Sequence, residues 1–388
     1  MTDFTATRSA FHLLPDSSYF DGGSLGPLPK QASARLQSFL SVNCLEEYGH
    51  LHEGCPWHQL AQTTSERLAR LIGVNAQELL IGENLTVQVF QAISAALSLC
   101  SGPRRRIILT DCSIAQSDLL AMQALVTALD CQLRVVEAED ICYSLSEDVA
   151  VLFMAEVDAR NGKRRDMACL SRLAHDSGAL TVWDLSYSAG TLKVDLVRNC
   201  ADFAVGSCHG FLSGGPSAPA YLWISGRLAS RVTPALRGWI GQHWLCNPLR
   251  PPATSGPMDD FRLGMPPLLG LAVLDAALEI WDDIPLDVIE ARSHELTAAF
   301  LQGLSVECPE ITVLTPQKAN QRASYICLRH HAASGIAEGL KQANISINFC
   351  PPDLLRLSFC PLYNNLLDVE RAIKALGRIA RTQLRNGG

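Results

Sequence analysis

Cys208 and His209 stand side by side in the run Ser207-Cys208-His209-Gly210. An adjacent thiol and imidazole can supply a thiolate nucleophile, an acid/base group, or a metal or haem ligand. The same two side chains can also simply fill a pocket. A second concentration of ligand-type residues lies in His50-Leu51-His52-Glu53-Gly54-Cys55-Pro56-Trp57-His58, but its spacing matches no standard zinc pattern, so no metal is expected. Asp184 closes the run Leu180-Thr181-Val182-Trp183, where a carboxylate serves either a ligand or a turn. Arg356, in Pro352-Asp353-Leu354-Leu355-Arg356, offers a planar fork suited to a bidentate carboxylate, whether of a ligand or of an internal salt bridge.

The elements that must position these residues alternate. Short apolar runs at Leu79–Ile81, Ile107–Leu109, Val149–Met154, Leu180–Trp183, Phe203–Val205 and Ala220–Ile224 are separated by helical stretches at Thr86–Leu99, Asp118–Leu129 and Met167–His175. Near-continuous apolar strands between helices predict an α/β fold, a mostly parallel sheet covered on both faces, with ligands beyond the strand C-termini. A helical stretch over Leu268–Trp281 is expected to bridge to a smaller α+β unit. That unit has strands at Ile311–Leu314, Ser324–Leu328, Ile345–Phe349 and Leu354–Phe359, a helix at Ala333–Gln342 and a last helix over Leu367–Leu384.

The 388 residues exceed one ordinary core, so one large and one small domain are expected. With 48% hydrophobic and 18% charged residues the chain has globular composition, and its net charge is -7. No cation cluster suits nucleic acid, and no apolar run reaches membrane-span or signal-peptide length. The 14 cysteines are scattered without a Cys-x-x-Cys pair, which predicts reduced thiols in the cytoplasm.

Several segments, in order along the chain, resemble kynureninases, members of the pyridoxal-phosphate (PLP) fold-type-I, aminotransferase class V-like superfamily. Tyr19-Phe20-Asp21-Gly22-Gly23-Ser24-Leu25-Gly26 is similar to the family opening Tyr-Leu-Asp-Gly-Asn-Ser-Leu-Gly. Trp183-Asp184-Leu185-Ser186-Tyr187-Ser188-Ala189-Gly190 resembles Trp-Asp-Leu-Ala-His-Ser-Ala-Gly. Gly214-Gly215-Pro216, Gly238-Trp239 and Pro361-Leu362-Tyr363-Asn364 follow the same family. The resemblance implies a mostly parallel seven-stranded large domain between helices (31–285), a small C-terminal α+β domain (286–388) and an N-terminal arm (1–30) associated with the latter. It also implies a homodimer with the site between subunits.

In the family frame Tyr-Lys-Tyr-Leu-Asn-Gly-Gly-Pro, the lysine that bonds PLP falls on Gly210, which has no amine. The ring-stacking aromatic falls at Ala115, a phosphate-binding hydroxyl at Leu85, and the ligand that the second subunit gives to the phosphate at Met265. The resemblance retains Asp184 as the pyridine-nitrogen partner, Arg356 as the substrate-carboxylate ligand, and Trp239 and Tyr363 as substrate-binding residues; Tyr187 replaces a family histidine. The expectation is a PLP-independent hydrolase or lyase acting on a small amino-acid-derived or aromatic carboxylic acid, with Cys208, His209, Asp184 and Tyr187 as catalytic candidates and no covalently bound PLP or other cofactor. Two alternatives stay open: a non-catalytic carboxylate-binding regulator, and an enzyme that recruited haem through His209 or Cys208. In solution, light scattering at micromolar concentration should give the mass of two 42.1 kDa chains; a stable monomer would contradict the expected obligate interface of about 2,000 Å² or more.

Overall fold

The computed structural model describes residues 3–41, 56–100, 105–238 and 258–386. The arm comprises helix α1 (Phe4–Ser9) and strand β1 (Ser18–Tyr19), and helix α2 (Lys30–Ser41) follows it. Helix α3 (Pro56–Ile72) leads into the large domain. There β2 (Leu79–Gly82), α4 (Leu85–Leu99), β3 (Ile107–Asp111), α5 (Gln116–Leu129), β4 (Gln132–Val136), β5 (Val149–Ala155), α6 (Met167–Asp176), β6 (Leu180–Asp184), β7 (Phe203–Ser207) and β8 (Ala220–Ile224) follow in turn.

The strands form one seven-stranded sheet in the order β2-β8-β7-β6-β5-β3-β4. Pairing is parallel from β7 to β4, while β8 runs antiparallel to both β7 and β2. Alternate residues feed opposite faces, as the two-residue strand period demands. Leu152, Met154 and Trp183 enter one apolar core; Val151, Phe153 and Val182 enter the other. Both faces are thus dry, which explains why these strands read as unbroken apolar runs.

Helix α7 (Leu268–Leu278) ends in a 3-10 turn at Glu279–Trp281, so the stretch read as one helix changes pitch near its end. Long helix α8 (Leu286–Glu307) enters the small domain. Strands β9 (Thr312–Val313), β10 (Tyr325–Arg329), β12 (Asn348–Cys350) and β13 (Leu354–Ser358) make an antiparallel sheet in the order β12-β13-β10-β9, packed by α8, α9 (Ala333–Gln342) and α10 (Leu366–Asn386). The single strand expected over Ile345–Phe349 is two. β11 (Ile345–Ser346) pairs in parallel with β1 of the arm, and β12 turns away to join β13.

The arm is fixed to the small domain by more than this pairing. Ser358 donates its N–H to the Phe20 carbonyl at 2.7 Å, and the Phe20 ring lies 5.1 Å from that of Phe359, itself 5.1 Å from Phe300. Arg8 is ion-paired with Asp368 at 2.6 Å, and Ser18 donates to the same carboxylate. Truncating a fully buried phenylalanine typically costs about 3–5 kcal/mol. Phe20→Ala should therefore lower stability to urea on that scale and make residues 10–30 the first sites of limited proteolysis; an unchanged cleavage pattern would show that other contacts hold the arm.

Candidate functional site

The site forms beyond the C-terminal ends of β5, β6 and β7. Asp184 is the last residue of β6, paired in register with Ala155 of β5 and Val205 of β7. Its carboxylate is nearly buried and accepts hydrogen bonds from the Ser186 N–H at 2.9 Å and the Ser186 hydroxyl at 2.6 Å. The same hydroxyl accepts the Ser207 N–H at 3.0 Å, which ties the end of β6 to the end of β7.

A second carboxylate faces Asp184. Helix α5 begins after Ala115, whose methyl side chain gives no cap, and Asp118 sits in its first turn, fully buried. Burial, and then the Asp184 charge, push the Asp118 carboxyl up to about 7. Burial likewise raises Asp184, against the lowering effect of Ser186. Among the described residues, no lysine, arginine or histidine offsets either group. Two buried acids at neutral pH without a cation share a proton or await a positive partner. Sequence reading placed Asp118 only at a helix start; its signal was one-turn proximity to Ala115, on the helix end that faces the strand termini.

Arg356, on β13, is the second feature. Its guanidinium donates to the Asn348 side-chain oxygen at 2.9 and 3.3 Å and to the Ala159 carbonyl at 3.4 Å, and stands 5.9 Å from the centre of the Tyr187 ring. Among the described residues it has no salt bridge. β12 and β13 place Asn348 directly opposite Arg356. Tyr187 and Tyr325 meet edge to face at 5.4 Å. Gly23, Ser24, Tyr187, Tyr325, Asn348, Arg356 and Ser358 enclose a cavity of about 10 Å³, room for about one water. Asn348, Tyr325 and the arm residues were not singled out by the sequence, because the strand containing Asn348 was read in one piece and the arm as a fold marker only.

The remaining candidates separate. Cys208 is completely buried in the apolar core, and burial pushes its thiol far above the ordinary range. The expected thiolate or haem-ligand role is corrected: the side chain packs. His209 is half-buried, its imidazole held below its usual pKa by burial, and its carbonyl accepts the Gly26 N–H at 2.8 Å. Tyr363 is also corrected. It packs edge-on to Phe11 at 5.1 Å behind the arm and does not line the cavity. Met265 is partly exposed. Trp239 lies outside the described residues, as does the His50–His58 segment apart from the backbone that opens α3. Among the described residues there is no cluster of three or more His, Cys, Asp or Glu suited to a metal, and no helix is long and apolar enough to cross a membrane.

The acid pair has a measurable signature. Asp118 is protonated in the folded chain up to pH about 7 but ionises near 3.8 when unfolded, so unfolding releases a proton between those values. Stability must fall as pH rises through that window. Asp118→Asn should flatten the fall and, by urea unfolding without cofactor, exceed the parent at pH 8 by about 2–4 kcal/mol while differing little at pH 4. Parallel pH–stability curves would refute the pairing.

Residues 289–376 match the family model described as kynureninase C-terminal domain. The chain is 35% identical to a kynureninase of Deinococcus radiodurans over 96% of its own length and 92% of that protein, and 30% identical to one of Pseudomonas fluorescens over 96% and 91%. In architecture it resembles an apo cysteine desulfurase of Thermococcus onnurineus (TM-score 0.83, 20% identity, 98% and 99% of the two chains). It also resembles a lysine-to-alanine variant of C-DES with glycine covalently linked to its PLP cofactor (TM-score 0.83, 17% identity, 98% and 100%). These likenesses bear out the fold-type-I α/β class. They overturn the expectation of a chain without a cofactor, and with it the haem alternative, because the relatives belong to PLP-dependent enzymes. Carried by the identity to the Deinococcus protein across nearly its whole length, the chain belongs to the kynureninase family of PLP-dependent enzymes.

Proposed function

We propose that the chain is a PLP-dependent enzyme of hydrolase or lyase type acting on a small amino-acid-derived or aromatic carboxylic acid, assembled as a homodimer. The observation that carries the reading is Arg356, a half-buried guanidinium without a salt bridge among the described residues, beside a cavity between the two tyrosines and Asn348. A guanidinium held only by neutral oxygens is ready for a bidentate carboxylate.

The acid pair fits the cofactor's ring nitrogen: a pyridinium N–H supplies the positive partner that Asp184 and Asp118 lack. PLP, when bound, supplies an electron sink for charge developing on the substrate carbon. Asp184, oriented by Ser186, would hold the cofactor at its ring nitrogen. Arg356, positioned by Asn348, fixes the substrate carboxylate, and Tyr187 covers it. Gly210 brings no amine, so this position offers no side chain that could bond the cofactor.

The non-catalytic carboxylate-binding reading is favoured by that same missing amine. PLP titration separates the two: PLP fluorescence should report binding to the parent, strengthened by an added amino acid and weakened by Asp184→Ala. No binding under either condition would favour the non-catalytic reading. For the carboxylate, Arg356→Ala should weaken ligand binding by about 2–5 kcal/mol, thirty-fold to several thousand-fold, with dimerisation intact. Arg356→Lys should rescue only partly, since it lacks the fork.

A further inference from the structure

Buried arginines need acids. Arg165, whose side chain is nearly buried, has Asp111 at 2.5 Å and Asp158 at 3.3 Å. Arg322 is 2% exposed and has no salt bridge among the described residues. Its partners are neutral. Nε donates to the Thr297 hydroxyl at 3.0 Å, Nη1 to the Gln317 carbonyl, and Nη2 to the His294 carbonyl at 3.4 Å. Burial pulls the guanidinium below its usual range, with no acid to draw it back. A guanidinium carries five N–H groups. Three are used among the described residues, so Nη1 and Nη2 each keep one. That pair is a fork suited to a carboxylate.

Arg322 borders a cavity of about 720 Å³, a size common among small-molecule sites. Leu301 and Leu304 of α8, Ile311 and Val313 line it, and exposed Gln302 and Gln317 stand at its rim. Among the described residues, no acid and no second cation lines it, and it shares no residue with the Arg356 cavity. The main chain of Arg322 is stitched to the large domain. Arg322 bridges Lys163, the Arg164 N–H donates to the Gln321 carbonyl at 2.9 Å, and the Ala323 N–H donates to the Gly162 carbonyl at 2.9 Å.

We propose that this cavity is a second ligand site, for a monocarboxylic acid with an apolar body, whose carboxylate takes the open fork of Arg322 while its body lies against Leu301, Leu304, Ile311 and Val313. The charge answers one that burial leaves uncompensated. One cation among apolar walls suits a monoanion. A phosphate ester brings nearly two charges to a single guanidinium. An uncharged analogue gains only the apolar contact and leaves the fork unfilled. Because the Arg322 main chain clamps residues 162–164, a bound acid also steadies that backbone. None of this depends on what Arg356 binds.

Calorimetric titration of the full-length protein with octanoate tests this, with every comparison made in an Arg356→Ala background so that the other guanidinium is silent. Octanoate should bind in the submillimolar range, and octanamide about ten-fold or more weakly, the scale of a lost charged hydrogen-bond pair. Arg322→Gln should remove that preference. If it does not fold, Gln302→Trp carries the test: it fills the cavity from an exposed position on α8, leaves Arg322 in place, and should abolish binding. Bound octanoate should slow amide exchange at residues 162–164 and 321–323, and should not do so in Gln302→Trp. Equal affinity for octanamide overturns the proposal. So does octanoate binding that is indifferent to Arg322→Gln and Gln302→Trp, binding that leaves exchange at 321–323 unchanged, or no binding at millimolar octanoate.

Discussion

The contact between the Gly23 carbonyl and the bare Cα of Gly210 is the constraint around which the site is arranged. It joins three bodies at one point: the loop after β7, the arm, and the small-domain sheet that the arm joins through β1 and β11. Because both partners are backbone, neither can yield by rotating a side chain. The arm is consequently held at a fixed depth, which places Gly23 and Ser24 against Arg356 and sets the size of the cavity. The carboxylate pair at Asp118 and Asp184 lies beyond the strand ends of the large domain, while Arg356 belongs to the small domain. The two charged features of the site thus stand on different sheets, Asp184 on the seven-stranded one and Arg356 on the four-stranded one.

Electrostatics divides the same way. Among the described residues, the large-domain half presents buried acids with no cation, and the small-domain half presents a half-buried cation with no salt bridge. Each half is costly alone, since isolated buried charge is expensive. A ligand pair with a cationic ring and an anionic tail answers both.

The large-domain strands were legible because both sheet faces are dry: Val149–Ala155 contains no polar residue to hide it. β4 was missed because it is the sheet's edge, half-exposed along Gln132–Val136, and carries polar residues that a core strand would not. The break at Ile347 was missed because apolar periodicity cannot register that two halves of one run pair with different partners. Asp184 and Arg356 were legible from motif frames. Asp118 was not, since its importance arises from a long-range encounter with Asp184. Cys208 misled because sequence reports reactive chemistry but not solvent access, and here burial decides. The missing side chain at Gly210 was read as a loss; in three dimensions it is an approach, occupied by Gly23.

The parallel pairing of Ser18–Tyr19 with Ile345–Ser346 has a consequence for biosynthesis. The partners are separated by more than three hundred residues, and such distant contacts form late because the loop between them must close first. During translation the arm waits beside the ribosome while the large domain can already assemble its sheet. Only when β11, β13 and the chain's last helix have emerged can the arm settle and the wall of the Arg356 cavity exist. A chain that stops short of β11 can therefore build the acid pair but not the pocket beside Arg356, which forms only when synthesis has passed β13.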